Sequence, residues 1–154
     1  MDIANLKWQN VAEVELSYRQ KVKSSQRPQL RSSAEVADLL RLLWNQNKIE
    51  FVEQFKVLLL NQANRVLGVL ELSTGGVTAT VADPKIIFVA ALKANACGII
   101  ISHNHPSGNV KPSRADEELT EKIKNAGKFL DIKLLDHIII SNESYFSFTD
   151  EGLL

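Results

Sequence analysis

The sequence predicts an α/β domain in which helices cover both faces of a mixed β-sheet. Short apolar and β-branched runs, which are typical of strands, alternate along the chain with segments whose apolar residues recur at helical spacing. Such an order builds a sheet with helices packed against it. The length of 154 residues and the hydrophobic content of 45% suit a single domain with a buried core.

The N-terminal part, residues 1–48, is predicted to add one strand and one helix. Residues 12–18 alternate between apolar and polar side chains, which indicates a half-exposed strand. Residues 19–31 are basic and polar and indicate a solvated loop; the alternative is a basic arm for nucleic acid or an acidic partner. A capping-box pattern at residues 32–35 begins an amphipathic helix that we expect to end near residue 46.

The middle of the chain predicts strands over residues 51–60 and 66–72 and a further β-rich segment at 77–81. Alternate residues of the first strand form one apolar face, on which Glu53 is the only carboxylate. Burial there would raise the pKa of Glu53, which suits a general base beside a metal. The alternative is an idle, exposed Glu53 at a frayed strand end. The competing carboxylates are Glu50 and Glu71.

The second half predicts a regular succession of elements: a helix beginning at Asp83-Pro84, a buried strand from Gly98, a helix over 114–126, a strand over 132–141 and a short strand over 145–148. Cys97, just before the first of these strands, is predicted to be a buried small hydrophobe. His137 is predicted to be a satisfied core histidine, and the alternative is that it orients a metal ligand.

A metal site is indicated by His103, His105 and Asp116. The two histidines stand where the apolar run 98–101 ends, and residues two apart on a strand point to the same side. Asp116 falls in the first turn of the helix that follows. Two imidazole nitrogens and one carboxylate oxygen leave a fourth position for water, which is typical of catalytic rather than structural zinc. Taken alone, Ser113 and Asp116 would be interpreted as a common helix N-cap.

The spacing His-x-His, seven residues, Ser, two residues, Asp resembles the JAMM (MPN-plus) metalloprotease motif. More narrowly, the run His103–Gly108, the pair Pro112-Ser113 before Asp116, and Leu134-Leu135-Asp136-His137 resemble the RadC branch of that family. The resemblance covers about residues 50–153.

That resemblance implies a three-layer, mixed-sheet JAB/MPN fold, akin to the cytidine-deaminase-like arrangement, over residues 49–154. It implies one zinc ion per chain, with Glu53 as the general base. Ser113 is then placed to donate a hydrogen bond to the oxyanion of a tetrahedral intermediate.

We therefore predict a zinc-dependent metallopeptidase or isopeptidase-like hydrolase that acts on a peptide or protein substrate. The alternative, which the RadC resemblance also implies, is a non-catalytic binding or scaffold protein associated with DNA repair. Nucleobase deamination is disfavoured, because the chain lacks the His-x-Glu and Pro-Cys-x-x-Cys signature of that chemistry.

Charge and composition restrict the partners. Basic and acidic residues number 18 each, and this neutrality counts against nucleic acid unless a local basic patch exists. The single cysteine, the lack of a signal-peptide pattern and the lack of an apolar run of membrane-spanning length predict a cytoplasmic protein without a membrane partner. Exposed edge strands would favour a homodimer formed through the sheet.

Overall fold

The computed structural model describes residues 11–76 and 82–154. Within them one mixed five-stranded sheet is covered by a helix on one face and by two helices on the other, which confirms the predicted α/β fold class. In chain order the elements are α1 (Ser33–Leu43), β1 (Gln54–Leu60), β2 (Val66–Thr74), α2 (Pro84–Lys93), β3 (Gly98–Asn104), α3 (Arg114–Phe129), β4 (Lys133–Ile140) and β5 (Tyr145–Ser147).

The strand order in the sheet is β2-β1-β3-β4-β5. Strand β1 pairs antiparallel with both β2 and β3, β3 pairs parallel with β4, and β5 closes antiparallel against β4. The parallel pair needs a crossover, which α3 supplies. Strands β1 and β3 are buried along their whole length, and they therefore read in the sequence as nearly continuous apolar runs.

The two faces of β1 support two separate clusters of the core. Phe55, Val57 and Leu59 pack with α2 and α3, whereas Leu58 and Leu60 pack with α1. This confirms the predicted division of β1 into an odd-numbered and an even-numbered face. Phe55 on the odd-numbered face lies opposite His103 of β3, and the candidate site therefore lies at this end of that face.

Two expectations about the chain are wrong. Residues 12–18 form no strand, because no neighbouring segment pairs with them in the described part of the chain, and their apolar side chains stay exposed, with Leu16 at 90%. Tyr18 Oη instead donates a hydrogen bond to the carbonyl of Leu67. Cys97 is exposed rather than buried, because it lies in the turn before β3 and not in the strand.

Several boundaries differ from the predicted ones. Helix α1 ends at Leu43, because Trp44 takes an extended conformation and buries its ring in the core. Strand β1 begins at Gln54, so Glu53 directly precedes the strand. The predicted β-rich segment 77–81 lies outside the described residues. The division of the chain at residue 48 stays a prediction. Among the described residues, no helix has the length and apolar character needed to cross a membrane.

Candidate metal centre

The end of β3 carries both histidines toward one point. Phe55 of β1 lies opposite His103 in the antiparallel register. The two rings stack with an interplanar angle of 2° and a centroid separation of 6.0 Å. His103 is almost fully buried, and His105 directly follows the last residue of β3. The imidazoles approach each other with 3.0 Å between their Nε2 atoms.

The turn after His105 determines how its ring is oriented. The amide of Gly108 donates to the carbonyl of His105, with Pro106 at the second turn position and Gly108 at the fourth, as a type I turn favours. Gly108 has a φ of 84°, a left-handed conformation that glycine adopts without strain. Beyond it, the carbonyl of Asn109 lies 2.7 Å from His105 Nδ1. A carbonyl only accepts, so Nδ1 donates, and in the neutral ring Nε2 presents its lone pair to the site.

Asp116 approaches from the first turn of α3, and it acts in the helix cap as well. Ser113 is the N-cap, and its hydroxyl accepts from the amide of Asp116 at 3.1 Å. The amide of Ser113 donates to Asp116 Oδ2 at 2.8 Å, which completes a capping box. The same carboxylate lies 3.3 Å from His103 Nε2 and 3.6 Å from His105 Nε2. Asp116 can therefore belong to the helix cap and serve as a metal ligand at the same time.

The donor set suits a divalent metal. One atom from each of His103, His105 and Asp116 falls within 4.8 Å of the others. Two nitrogens and one carboxylate oxygen are a ligand set that zinc accepts, with a further position left open in catalytic sites. The carboxylate and the lone pair of His105 face each other across the site, and such an arrangement requires a cation between them, either a proton or a metal ion.

The pKa values of Asp116 and His105 depend on each other's charge. Burial opposes ionisation of Asp116, but the imidazoles of His103 and His105 beside it lower the pKa of its carboxyl well below the ordinary value. The adjacent carboxylate of Asp116 raises the pKa of His105. In the protein without a metal, the site therefore holds a carboxylate and favours a proton on His105.

Glu53 is held in place by backbone contacts on two sides. Its amide donates to the carbonyl of Gly76 at 3.1 Å, and its carbonyl accepts from Gly75 at 2.8 Å. Asn104, fully buried between the two histidines in the chain, holds the segment before β1. Its Oδ1 accepts from the amide of Gln54 at 2.7 Å, and its Nδ2 donates to the carbonyls of Ile49 and Val52 at 2.7 and 2.9 Å.

The Glu53 side chain belongs to the site electrostatically. Glu53 is only 9% exposed, and burial raises the pKa of its carboxyl, as the sequence predicts. The charges that act on that pKa are those of His103 and His105, which lower it, and that of Asp116, which raises it. Glu53 therefore lies within electrostatic reach of all three candidate ligands.

The competing carboxylates each have another polar partner. Glu71 lies in β2 opposite Lys56, with 3.2 Å between the ammonium and the carboxylate, on the sheet face that carries α1. Glu50 is exposed and accepts a hydrogen bond from Asn142 at 2.9 Å. Glu53 is electrostatically coupled to the candidate ligands, whereas Glu50 lines a surface cavity together with His105.

Ser113 is exposed and directly precedes α3. Its hydroxyl oxygen accepts within the cap, which leaves its hydrogen free to be donated to a substrate oxygen. Its role as oxyanion donor stays a prediction.

Sequence reasoning missed Asn104 and Thr120. Asn104 points away from the histidines, so its buried amide acts on the segment that carries Glu53. Thr120 follows Asp116 by one helical turn, and its hydroxyl lies 2.6 Å from the Asp116 carbonyl and 2.6 Å from His137 Nδ1. The i, i+4 spacing on a predicted helix is a signal that would have found Thr120.

Burial lowers the pKa of His137 well below its ordinary value.

Relatives of this chain match about two thirds of its length or more. A Flavobacterium johnsoniae protein described as "UPF0758 protein" is 48% identical over 101 residues, which are 66% of this chain and 44% of the relative. A Rubrobacter xylanophilus protein of the same description is 38% identical over 146 residues, or 94% of this chain and 62% of the relative. The chain thus spans about half the length of the curated relatives it matches.

The family described as "RadC-like JAB domain" matches residues 30–153. The match begins earlier than residue 50, where the motif resemblance begins, and it includes α1. The motif, the fold and this match agree, and the chain belongs to the RadC-like JAB domain family.

Proposed function

We propose that this chain is a zinc-dependent hydrolase of amide bonds, similar to metallopeptidases and isopeptidases, that acts on a peptide or protein substrate. The observation that carries the proposal is the convergence of His103, His105 and Asp116 on one point within electrostatic reach of a buried carboxylate. When bound, zinc would supply Lewis-acid polarisation and make water nucleophilic near neutral pH.

The residues of the chain would divide the remaining work. His103, His105 and Asp116 would hold the metal, and the turn at Gly108 and the α3 cap orient two of these ligands. Glu53, whose pKa is raised by burial, can accept a proton from water and return it to the leaving amine. The hydroxyl of Ser113 can donate to the developing oxyanion, and losing such a donor costs on the order of 10²–10³ in rate.

The first test is metal content. Protein purified without chelators is analysed for bound metals, and the chelated protein is titrated with Zn²⁺ against a chromophoric chelator. We expect about one zinc per chain, as a three-ligand site with one open position requires. His103→Ala and Asp116→Ala should remove that binding. A folded wild-type protein that takes up no zinc would overturn the proposal and favour the binding or scaffold alternative.

The second test separates chemistry from metal binding. Glu53→Gln should retain zinc and lose hydrolysis of fluorogenic peptides and of lysine ε-linked isopeptides, because an amide cannot accept the proton. Glu50→Gln is the matched control, a nearby exposed carboxylate that should change neither zinc content nor rate. Loss of hydrolysis in the Glu50 variant alone would assign the base to Glu50 and contradict the role of Glu53.

A further inference from the structure

His137 links the metal ligands of β3 and α3 through the core. It is fully buried in β4, and its ring stacks on Phe148 with centroids 4.6 Å apart. Both ring nitrogens nevertheless have polar partners. His137 Nε2 lies 2.8 Å from His103 Nδ1, and His137 Nδ1 lies 2.6 Å from Thr120 Oγ1. Parallel pairing of β3 with β4 places His137 beside Ile101 and so brings it within reach of the ligand ring.

The direction of these hydrogen bonds follows from the donors available. Thr120 Oγ1 lies 2.6 Å from the carbonyl oxygen of Asp116, one turn earlier in α3. A carbonyl cannot donate, so the single hydroxyl hydrogen of Thr120 goes to Asp116, and the hydroxyl oxygen accepts from His137 Nδ1. A neutral His137 then has its lone pair on Nε2. That lone pair accepts from His103 Nδ1, and the lone pair of His103 is left on Nε2.

We propose that His137 and Thr120 are positioning residues that hold His103 in the Nδ1–H tautomer, with Nε2 directed at the metal. Nε2 of His103 is the atom that lies 3.0 Å from His105 Nε2 and 3.3 Å from Asp116 Oδ1. The opposite tautomer would place a hydrogen where the ligand needs a lone pair. Outer partners of this kind are worth about 10- to 100-fold in metal affinity. The inference rests on the metal site of the proposed function.

The hydrogen-bonded series Asp116, Thr120, His137 and His103, called the relay below, also connects the elements that carry the ligands. Its hydrogen bonds run from the backbone of α3 at Asp116 through Thr120, then through His137 of β4, to His103 of β3. A displacement of α3 relative to the sheet would therefore break the relay and separate the ligands at the same time. His137 is both a satisfied core residue and a support for the ligand, so the two interpretations of this residue from the sequence do not exclude each other.

The test measures zinc affinity in variants of the full chain. His137→Phe keeps an aromatic ring beside Phe148 but removes both nitrogens, and it should weaken Zn²⁺ binding by about 10- to 100-fold. His137→Gln, which keeps an acceptor for His103, should recover most of that affinity. Thr120→Val should weaken binding and Thr120→Ser should restore it. The matched control is Ser102→Ala, which should leave binding unchanged, since its buried hydroxyl has no hydrogen-bond partner among the described residues.

The tautomer itself can be measured without a metal. Nitrogen-15 shifts of His103 in the chelated protein, in which the proton favoured on His105 Nε2 can be donated to His103 Nε2, should show the Nδ1–H form in the wild type and loss of that preference in Thr120→Val and His137→Phe. A wild-type Nε2–H form, or a folded His137→Phe variant that binds Zn²⁺ as tightly as Ser102→Ala, would overturn the inference. If His137→Phe does not fold, Thr120→Val decides. Absence of zinc binding in the wild type would overturn the proposed function, while the tautomer measurement would still decide the relay.

Discussion

At the scale of single residues, the candidate site combines groups whose charges depend on one another. Asp116 stays a carboxylate because the imidazoles of His103 and His105 lie beside it, and His105 retains a proton more readily because Asp116 is charged. A divalent metal and a proton therefore compete for the same lone pair. This competition makes metal binding depend on pH in a direction that can be stated in advance.

Zinc affinity should rise as the pH increases past the ordinary imidazole pKa of 6.5. The raised pKa of His105 means that its proton stabilises the metal-free fold fully below pH 6.5, and this stabilisation is lost as the pH rises through the folded-state pKa. Zinc titrations at a series of pH values, with urea unfolding of the metal-free protein alongside, measure both effects. His105→Gln is the control, and its unfolding should lack this dependence. An affinity that does not change across the window would contradict the coupling.

Asn104→Ala should lower the rate of hydrolysis and leave zinc affinity unchanged. The variant loses three hydrogen bonds that hold residues 49–54, and so it releases Glu53 but no metal ligand. Unsatisfied buried partners cost about 1–3 kcal/mol each, so urea unfolding should also show reduced stability. Asn61→Ala is the matched control, since Asn61 also caps backbone amides but far from the site. Equal loss of activity in both variants would contradict a specific role of Asn104.

At the scale of secondary-structure elements, two helices begin in the same way but only one of them meets the site. Ser32 caps α1 and accepts from the amide of Glu35 at 3.2 Å. Ser113 caps α3 and accepts from Asp116, whose carboxylate also faces the histidines. The cap of α3 therefore orients a candidate ligand, whereas the cap of α1 supports the helix alone.

Ser113→Ala and Ser32→Ala should each lower stability by about 1 kcal/mol, the typical value of an N-cap hydroxyl. Only Ser113→Ala should also reduce the rate of hydrolysis, because its hydroxyl is the predicted oxyanion donor and its cap orients Asp116. Urea unfolding and peptide hydrolysis of both variants provide the comparison. A rate in Ser113→Ala equal to that in Ser32→Ala would contradict the oxyanion role.

At the scale of the whole molecule, α1 is packed into the same sheet that carries the site. Val36, Leu40 and Trp44 are buried against residues of β1, β3 and β4 on the face opposite the histidines. Burying a side chain of this size contributes about 1.5–3 kcal/mol, and native domains are stable by only about 5–15 kcal/mol. The match to the family from residue 30 onward agrees with this packing.

A chain that begins at residue 49 should therefore be much less stable than one that begins at residue 27. The shorter chain loses α1 and exposes the apolar face of β1, β3 and β4. The longer chain retains α1 and the hydrogen bond from the amide of Val66 to the carbonyl of Pro28. Thermal unfolding followed by circular dichroism measures the difference. Equal melting temperatures would show that residues 49–154 are stable alone, as the predicted division at residue 48 implies.

The sequence by itself determined the fold class and the candidate ligand set, because both are encoded in local spacing. Apolar periodicity marks strands and helices wherever burial on the sheet is nearly complete, and it misled at residues 12–18, where no partner strand buries the pattern. His103, His105 and Asp116 were recognisable because a strand end, a turn and a helix start lie within one short stretch of the chain.

Only the tertiary structure decided which groups surround that ligand set. Glu53 is distinguished from Glu71 by the sheet face, which follows from the pairing of β1 with β2 and β3. Asn104 and His137 have their roles because residues far apart in sequence meet across the sheet, at separations of up to 55 and 34 residues respectively. Register and packing between distant segments arise only on folding, and no local pattern in the chain specifies them.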